Sequence, residues 1–103
     1  MKKTIAGKTY NTDTASQIAN HAYGYASDFA HWDETLYQTK KGNYFLYGYG
    51  GPMTSYSTDL GNNSRGGGSD IRPMTEHEAL RWCEQYEDES AIELHFAHLI
   101  EEA

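Results

Sequence analysis

Apolar residues in this chain follow a helical period in three stretches and an alternating period in two, and glycines break the pattern between them. Near the N terminus, Thr4, Ile5, Thr9 and Tyr10 surround Gly7, which predicts a short strand or a small hairpin bent at the glycine. Asn11, Thr12 and Asp13 then offer N-caps, and Ala15, Ile18, Ala19 and Ala22 fall at helical spacing. This predicts a helix over 14–22, ended by Gly24. The aromatic and Thr-rich run from Phe29 to Thr39 and the run from Tyr44 to Tyr49 flank Lys40-Lys41-Gly42-Asn43, which reads as a hairpin with glycine where φ must be positive. In its second strand Tyr44, Leu46 and Gly48 alternate with Phe45, Tyr47 and Tyr49, so aromatic rings occupy both faces.

From Gly48 to Asp70 the sequence is rich in Gly, Ser, Asn and Thr, and it reads as a long loop with one short element near Met53 to Thr58. Ile71 begins a brief extended stretch in which Pro73 restricts Arg72 to extended geometry. Thr75 with Glu78 forms a capping box, and Ala79, Leu80, Trp82, Cys83 and Tyr86 make an apolar stripe over about 76–86. Ser90 with Glu93 repeats the capping signature, and Ile92, Phe96, Leu99 and Ile100 carry a second stripe to the C terminus. The fold class that follows is α+β: a small antiparallel sheet centred on a hairpin, packed by an N-terminal helix and two C-terminal helices. With 103 residues and no second composition block, residues 1–103 form a single domain.

Charge changes this picture more than composition does. The formal charge is −7, yet residues 1–75 carry seven Lys/Arg against six Asp/Glu. Residues 76–103 carry nine carboxylates against Arg81 alone. Clustered cations for phosphate binding are missing, so a nucleic-acid footprint is disfavoured, and the acidic end suits a positively charged partner. The competing reading is a solvated helix face. No apolar leader follows Met1, Lys2 and Lys3 and no apolar run reaches membrane-spanning length, so a cytoplasmic protein is expected.

Candidate chemistry is sparse. His95 and His98 lie three apart without a third ligand at a diagnostic spacing, so no metal is expected. Cys83, the only cysteine, falls on the packed face of a helix and reads as core rather than nucleophile. Asp33 and Glu34 are adjacent in a strand, point to opposite faces and cannot act as a carboxylate pair. The Tyr47-Gly48-Tyr49-Gly50-Gly51-Pro52 run lacks the glycine spacing and Lys-Ser/Thr ending of a phosphate loop, and a tight turn accounts for it better. Among the nine tyrosines, Tyr44, Tyr47, Tyr49 and Tyr56 lie near the glycine-rich segment, where packing at the core edge competes with a recognition surface. No cofactor is called for, and catalysis is not expected.

Several strings together resemble a family of small proteins from bacterial and phage-like mobile-element genomes. They are Asn11-Thr12-Asp13-Thr14-Ala15; Glu34-Thr35-Leu36-Tyr37 through Lys40-Lys41-Gly42 to Tyr44-Phe45-Leu46; Gly48-x-Gly50-Gly51-Pro52-Met53; Gly61-Asn62-Asn63; and Pro73-x-Thr75 leading to Glu78-Ala79-x-x-Trp82. The family offers no catalytic residues to carry over. The resemblance implies genomic company with anti-CRISPR genes, and an anti-CRISPR role for some members. On that basis the expected function is inhibition of a Cas effector subunit by blocking target-DNA engagement. Glu84, Glu87, Asp88, Glu89 and Glu93 would be a phosphate-mimicking surface, Tyr47, Tyr49 and Tyr56 a second contact, and the inhibitor a monomer. A nucleotide-binding domain or enzyme using the glycine-rich segment is one alternative, and a self-associating accessory protein of a mobile element is another.

Overall fold

The computed structural model describes all residues 1–103. Eight strands precede two helices: β1 (Lys2–Ile5), β2 (Lys8–Asn11), β3 (Ser16–Tyr23), β4 (Trp32–Gln38), β5 (Tyr44–Gly50), β6 (Thr58–Gly61), β7 (Ser64–Gly66), β8 (Gly68–Met74), α1 (Glu76–Gln85) and α2 (Glu89–His95). A 3₁₀ turn over Ala97–Leu99 follows. The central sheet is antiparallel in the order β3-β4-β5-β8, while β1-β2 and β6-β7 are separate hairpins.

The α+β class stands, but the predicted N-terminal helix is overturned: both helices are C-terminal, and residues 16–23 are strand β3, paired with β4 from Ser16 opposite Gln38 to Tyr23 opposite Trp32. Two physical facts explain the reversal. Asn11 does not cap a helix; its side-chain oxygen accepts from the Asp13 N–H at 2.9 Å and its carbonyl accepts from Ala15 at 3.1 Å, closing a turn. A helix of about nine residues is also marginal by itself, whereas the exposed edge of β4 supplies a full ladder of backbone partners. A register shift between Gln17 and Ala19 lets Ile18 and Ala19 both pack toward the core.

The β4-β5 hairpin forms as expected. Gly42 donates to the Thr39 carbonyl at 2.9 Å and lies at φ 90°, the left-handed residue that closes a three-residue loop. The predicted long loop is instead largely sheet. Asn62 and Asn63, at φ 51° and 61°, form a tight two-residue turn between β6 and β7, and β8 completes the edge of the central sheet along β5.

Alternation along β4, β5 and β8 divides the core. On one face Leu36, Tyr44 and Leu46 pack with Ala79, Leu80, Trp82 and Cys83 of α1 and with Ala91, Ile92 and Phe96. On the other, Phe45 and Ile71 pack with Tyr10 of β2, so the β1-β2 hairpin covers that face. Helix α1 has its predicted capping box: Thr75 N–H donates to Glu78 Oε1 at 2.9 Å, and Glu78 N–H donates to Thr75 Oγ1 at 3.1 Å. Helix α2 is capped by Asp88 rather than by Ser90, with Asp88 Oδ1 accepting from the Ala91 N–H at 3.1 Å. Ser90 lies inside the first turn, and α2 ends at His95 rather than running to the C terminus.

Candidate functional site: an aromatic cleft around Glu34

One register row of the sheet organises the chemistry. His21, Glu34, Gly48 and Asp70 are cross-strand neighbours on β3, β4, β5 and β8. Glu34 accepts two hydrogen bonds on the helical side: Tyr56 Oη donates to Oε2 at 2.6 Å and Trp82 Nε1 donates to Oε1 at 3.0 Å. The carboxylate is thus held by two neutral donors from distant parts of the chain, with no Lys, Arg or His within 4 Å. Gly48 makes this arrangement possible, because a Cβ there would run into the Tyr56 hydroxyl and its ring carbon. Burial and the Glu34 carboxylate raise the Tyr56 pKa far above its ordinary value, so its proton stays on the hydroxyl as a donor.

Neighbouring groups fix the walls. Arg72 lies over the Tyr56 ring at 4.0 Å and donates to the Ser55 carbonyl at 3.0 Å, anchoring the 52–56 segment. Met53 N–H donates to the Phe29 carbonyl and Gly51 N–H to the His31 carbonyl, both at 2.9 Å, which ties that segment to the β3-β4 connection. His21 Nε2 and Asp88 Oδ2 lie 2.8 Å apart, and the His21 ring stacks on Tyr86 at 4.9 Å. That contact fixes the end of α1 against β3. Between these walls opens a cleft of about 530 Å³, lined by Tyr23, Trp32, Glu34, Tyr56, Gln85 and Tyr86 together with Ala30 and residues 53–55. Its volume is in the range typical of small-ligand sites. At the rim Tyr23 is 57% and Met53 73% exposed, and Phe29 beside them is 68% exposed.

The residues singled out in the sequence are distributed unevenly. Glu84, Glu87, Glu89 and Glu93 are exposed and form no salt bridge. Asp88 is half-buried and committed to capping α2 and holding His21, so it belongs to the scaffold rather than to a free acidic surface. Tyr56 is buried at 4% exposure and lines the cleft. Tyr47 and Tyr49 alternate with Gly48, so they lie on the sheet face opposite the helices, where Tyr47 packs beside Phe45 and Ile71. The expected second contact is therefore split: Tyr47 and Tyr49 lie across the sheet from the acidic helices, whereas Tyr56 lies on the helical side with Glu34. Tyr49 sits opposite Asp33, whose carboxylate raises its pKa. His98 Nε2 is 2.9 Å from Glu76 Oε2, and His95 packs near Phe96. Cys83 is fully buried, and desolvation pushes its thiol up to about 11, which suits a core residue.

Glu34 was not legible as a site residue. Its adjacency to Asp33 gives the correct statement that the two side chains point apart; Asp33 Oδ1 accepts from Asn20 Nδ2 at 2.7 Å on the other face. The partners of Glu34 are 22 and 48 residues away, and only the fold brings them to it. No protein-family model matches this sequence, and neither a curated protein nor a solved structure is significantly similar to it.

Proposed function

We propose that this protein is a stoichiometric inhibitor of the anti-CRISPR kind, which binds a positively charged surface of a Cas effector subunit in the bacterial cytoplasm and blocks target-DNA engagement. The observation that carries the reading is the set of four exposed carboxylates, Glu84 near the end of α1, Glu87 in the connection, and Glu89 and Glu93 on α2, none of them in ion-pair contact with a Lys or Arg. Like charges left unpaired in this way repel one another, and a cationic groove evolved for a nucleic-acid backbone would relieve that repulsion. The resemblance of the sequence strings to mobile-element proteins found beside anti-CRISPR genes points the same way. The exposed Tyr23, Phe29 and Met53 side chains supply the apolar contact that a protein interface also needs. No turnover is required of such an inhibitor.

The glycine-rich segment does not favour the alternative of a nucleotide site. Its residues form β6, β7 and β8, and its glycines admit close backbone packing. The test is affinity capture on the tagged protein from a CRISPR-bearing host, followed by a target-DNA binding assay with the recovered effector. A Cas subunit should be recovered at a fixed stoichiometry, and the Glu84→Gln, Glu87→Gln, Glu89→Gln, Glu93→Gln combination should release it while melting as the parent does. Asp88 is left intact because it holds the fold. Capture that retains no Cas component, or full inhibition by the four-fold variant, rejects the proposal.

A further inference from the structure

We propose that the cleft is a receptor for one arginine side chain presented by a partner protein, with the guanidinium on Glu34 and its stem along the Trp32, Tyr86 and Tyr23 rings. The inference rests on reading the chain as a protein binder and goes on to name the anchor the partner must bring. Four observations converge on it.

Glu34 lines the cleft as a partly buried carboxylate without a cation, held in place by Tyr56 and Trp82. Burying a charge is costly unless it is paired, and two neutral donors offset only part of that cost. Each of its oxygens accepts one bond from the protein, which leaves acceptor capacity on both. A guanidinium fork can address two carboxylate oxygens at once, whereas an ammonium is a point charge.

The walls are aromatic. Tyr23 and Trp32 stack with centroids 6.5 Å apart, and Trp32 meets Tyr86 at 5.4 Å. Ring faces attract a planar cation, and an arginine does this already within the fold, where Arg72 covers Tyr56. Arg72 itself is committed to Asp70 at 3.6 Å and to Ser55, so it does not neutralise Glu34.

The C-terminal end of α1 contributes Gln85 and Tyr86 to the lining, and its last turn has no basic residue. The negative end of the helix dipole therefore adds to the attraction for a cation. Glu84 and Glu87 flank the lining pair in sequence and are exposed. Charge, ring geometry and helix polarity thus favour the same ligand, and the exposed Tyr23 and Met53 at the mouth fit the peptide around it.

The test uses the full chain, ¹⁵N-labelled, titrated with the capped tripeptide acetyl-Gly-Arg-Gly-amide and its citrulline and lysine counterparts. The two indole N–H signals, from Trp32 in the lining and Trp82 on Glu34, report binding. The arginine peptide should shift both and bind about tenfold or more tighter than the neutral citrulline isostere, with lysine weaker than arginine. Glu34→Gln should abolish the arginine-over-citrulline preference. Should that variant misfold, Gln85→Lys, a change at an exposed helix position, should weaken the arginine peptide about tenfold while leaving the fold intact. Equal shifts with arginine and citrulline, or no shift with either, overturn the assignment, as does unchanged binding in Gln85→Lys. Retention of a Cas subunit by a protein that ignores the arginine peptide removes the cleft assignment alone. Selective arginine binding without any captured effector removes the inhibitor reading and leaves the receptor site standing.

Discussion

Glu87 offers a way to separate stability from recognition in one substitution. It follows the C-cap residue Tyr86 of α1 and adopts φ 53°, a left-handed conformation normally given to glycine. Its N–H donates to Glu84 O at 3.1 Å, and the Asp88 N–H donates to Cys83 O at 3.0 Å, which is the bond pair of a Schellman closure. A side chain with a Cβ costs about 1–2 kcal/mol in that region. Glycine removes this cost but loses about 0.4–1 kcal/mol more chain entropy on folding. Removing a carboxylate from the negative end of the helix adds about 0.3 kcal/mol in favour of the variant. Glu87→Gly should therefore stabilise the protein by about 1 kcal/mol and raise Tm by about 4–8 °C for a domain of this size. Glu87→Ala removes the same charge but keeps the backbone cost, so it should stay within about 0.5 kcal/mol of the parent. Calorimetry on the three proteins decides the matter: an alanine variant as stable as the glycine variant would refute the backbone argument. If Glu87 contacts the partner, the stabilised glycine variant also binds more weakly, a loss that unfolding cannot explain.

Two further predictions probe the scaffold. Gly48→Ala should displace the Tyr56 ring and cost about 2–4 kcal/mol in urea denaturation, combining overpacking with the lost bond to Glu34; because both changes disrupt one contact, Gly48→Ala with Tyr56→Phe should cost less than the sum of the two. Asp70 has its pKa lowered, first by the hydrogen bond from Lys3 at 2.9 Å, so its contribution is present above the unfolded value of 3.8 and is lost as pH falls through the lower folded value. The pair is exposed, so Asp70→Asn should cost less than about 1 kcal/mol at pH 7, and the difference between the two proteins should shrink as pH falls below 3.8.

The parts of the fold legible in the sequence are those in which local chemistry admits one outcome. Thr75 and Glu78 satisfy each other's backbone across a single turn, and Gly42 is required by the loop it closes, so α1 and the β4-β5 hairpin follow directly. Residues 14–22 are different, because Ile18 and Ala22 suit a period of 3.6 and a period of 2 alike. An Asx turn at Asn11 also resembles a helix cap until the neighbouring strand is known. The Asn62-Asn63 turn was readable as a hairpin signal. It was obscured by the glycines around it, which serve different ends: Gly61 takes a left-handed φ of 84° in open space, whereas Gly66 and Gly68 lie in strands where the Leu60 side chain and the Tyr56 carbonyl approach them closely. For the site, no local rule marks Glu34, since both of its donors arrive through tertiary packing.

The acidic third of the chain divides into two kinds of carboxylate, and the division bears on function. Glu76, Glu78 and Asp88 have partners in His98, Thr75 and His21, and they close helix termini or join helices to the rest of the fold. Glu84, Glu87, Glu89 and Glu93 have no ionic partner and no hydrogen bond from another side chain. Folding therefore gains little from this second group and bears their mutual repulsion, which is strongest at low ionic strength. Glu34 presents the same situation inside the cleft, where the donors that fix it leave its charge uncompensated. Surface and cleft thus share one deficit, positive charge. A cationic partner that placed one arginine on Glu34 and further basic groups along α1 and α2 would satisfy both, with the aromatic rim excluding water from the buried pair and strengthening it.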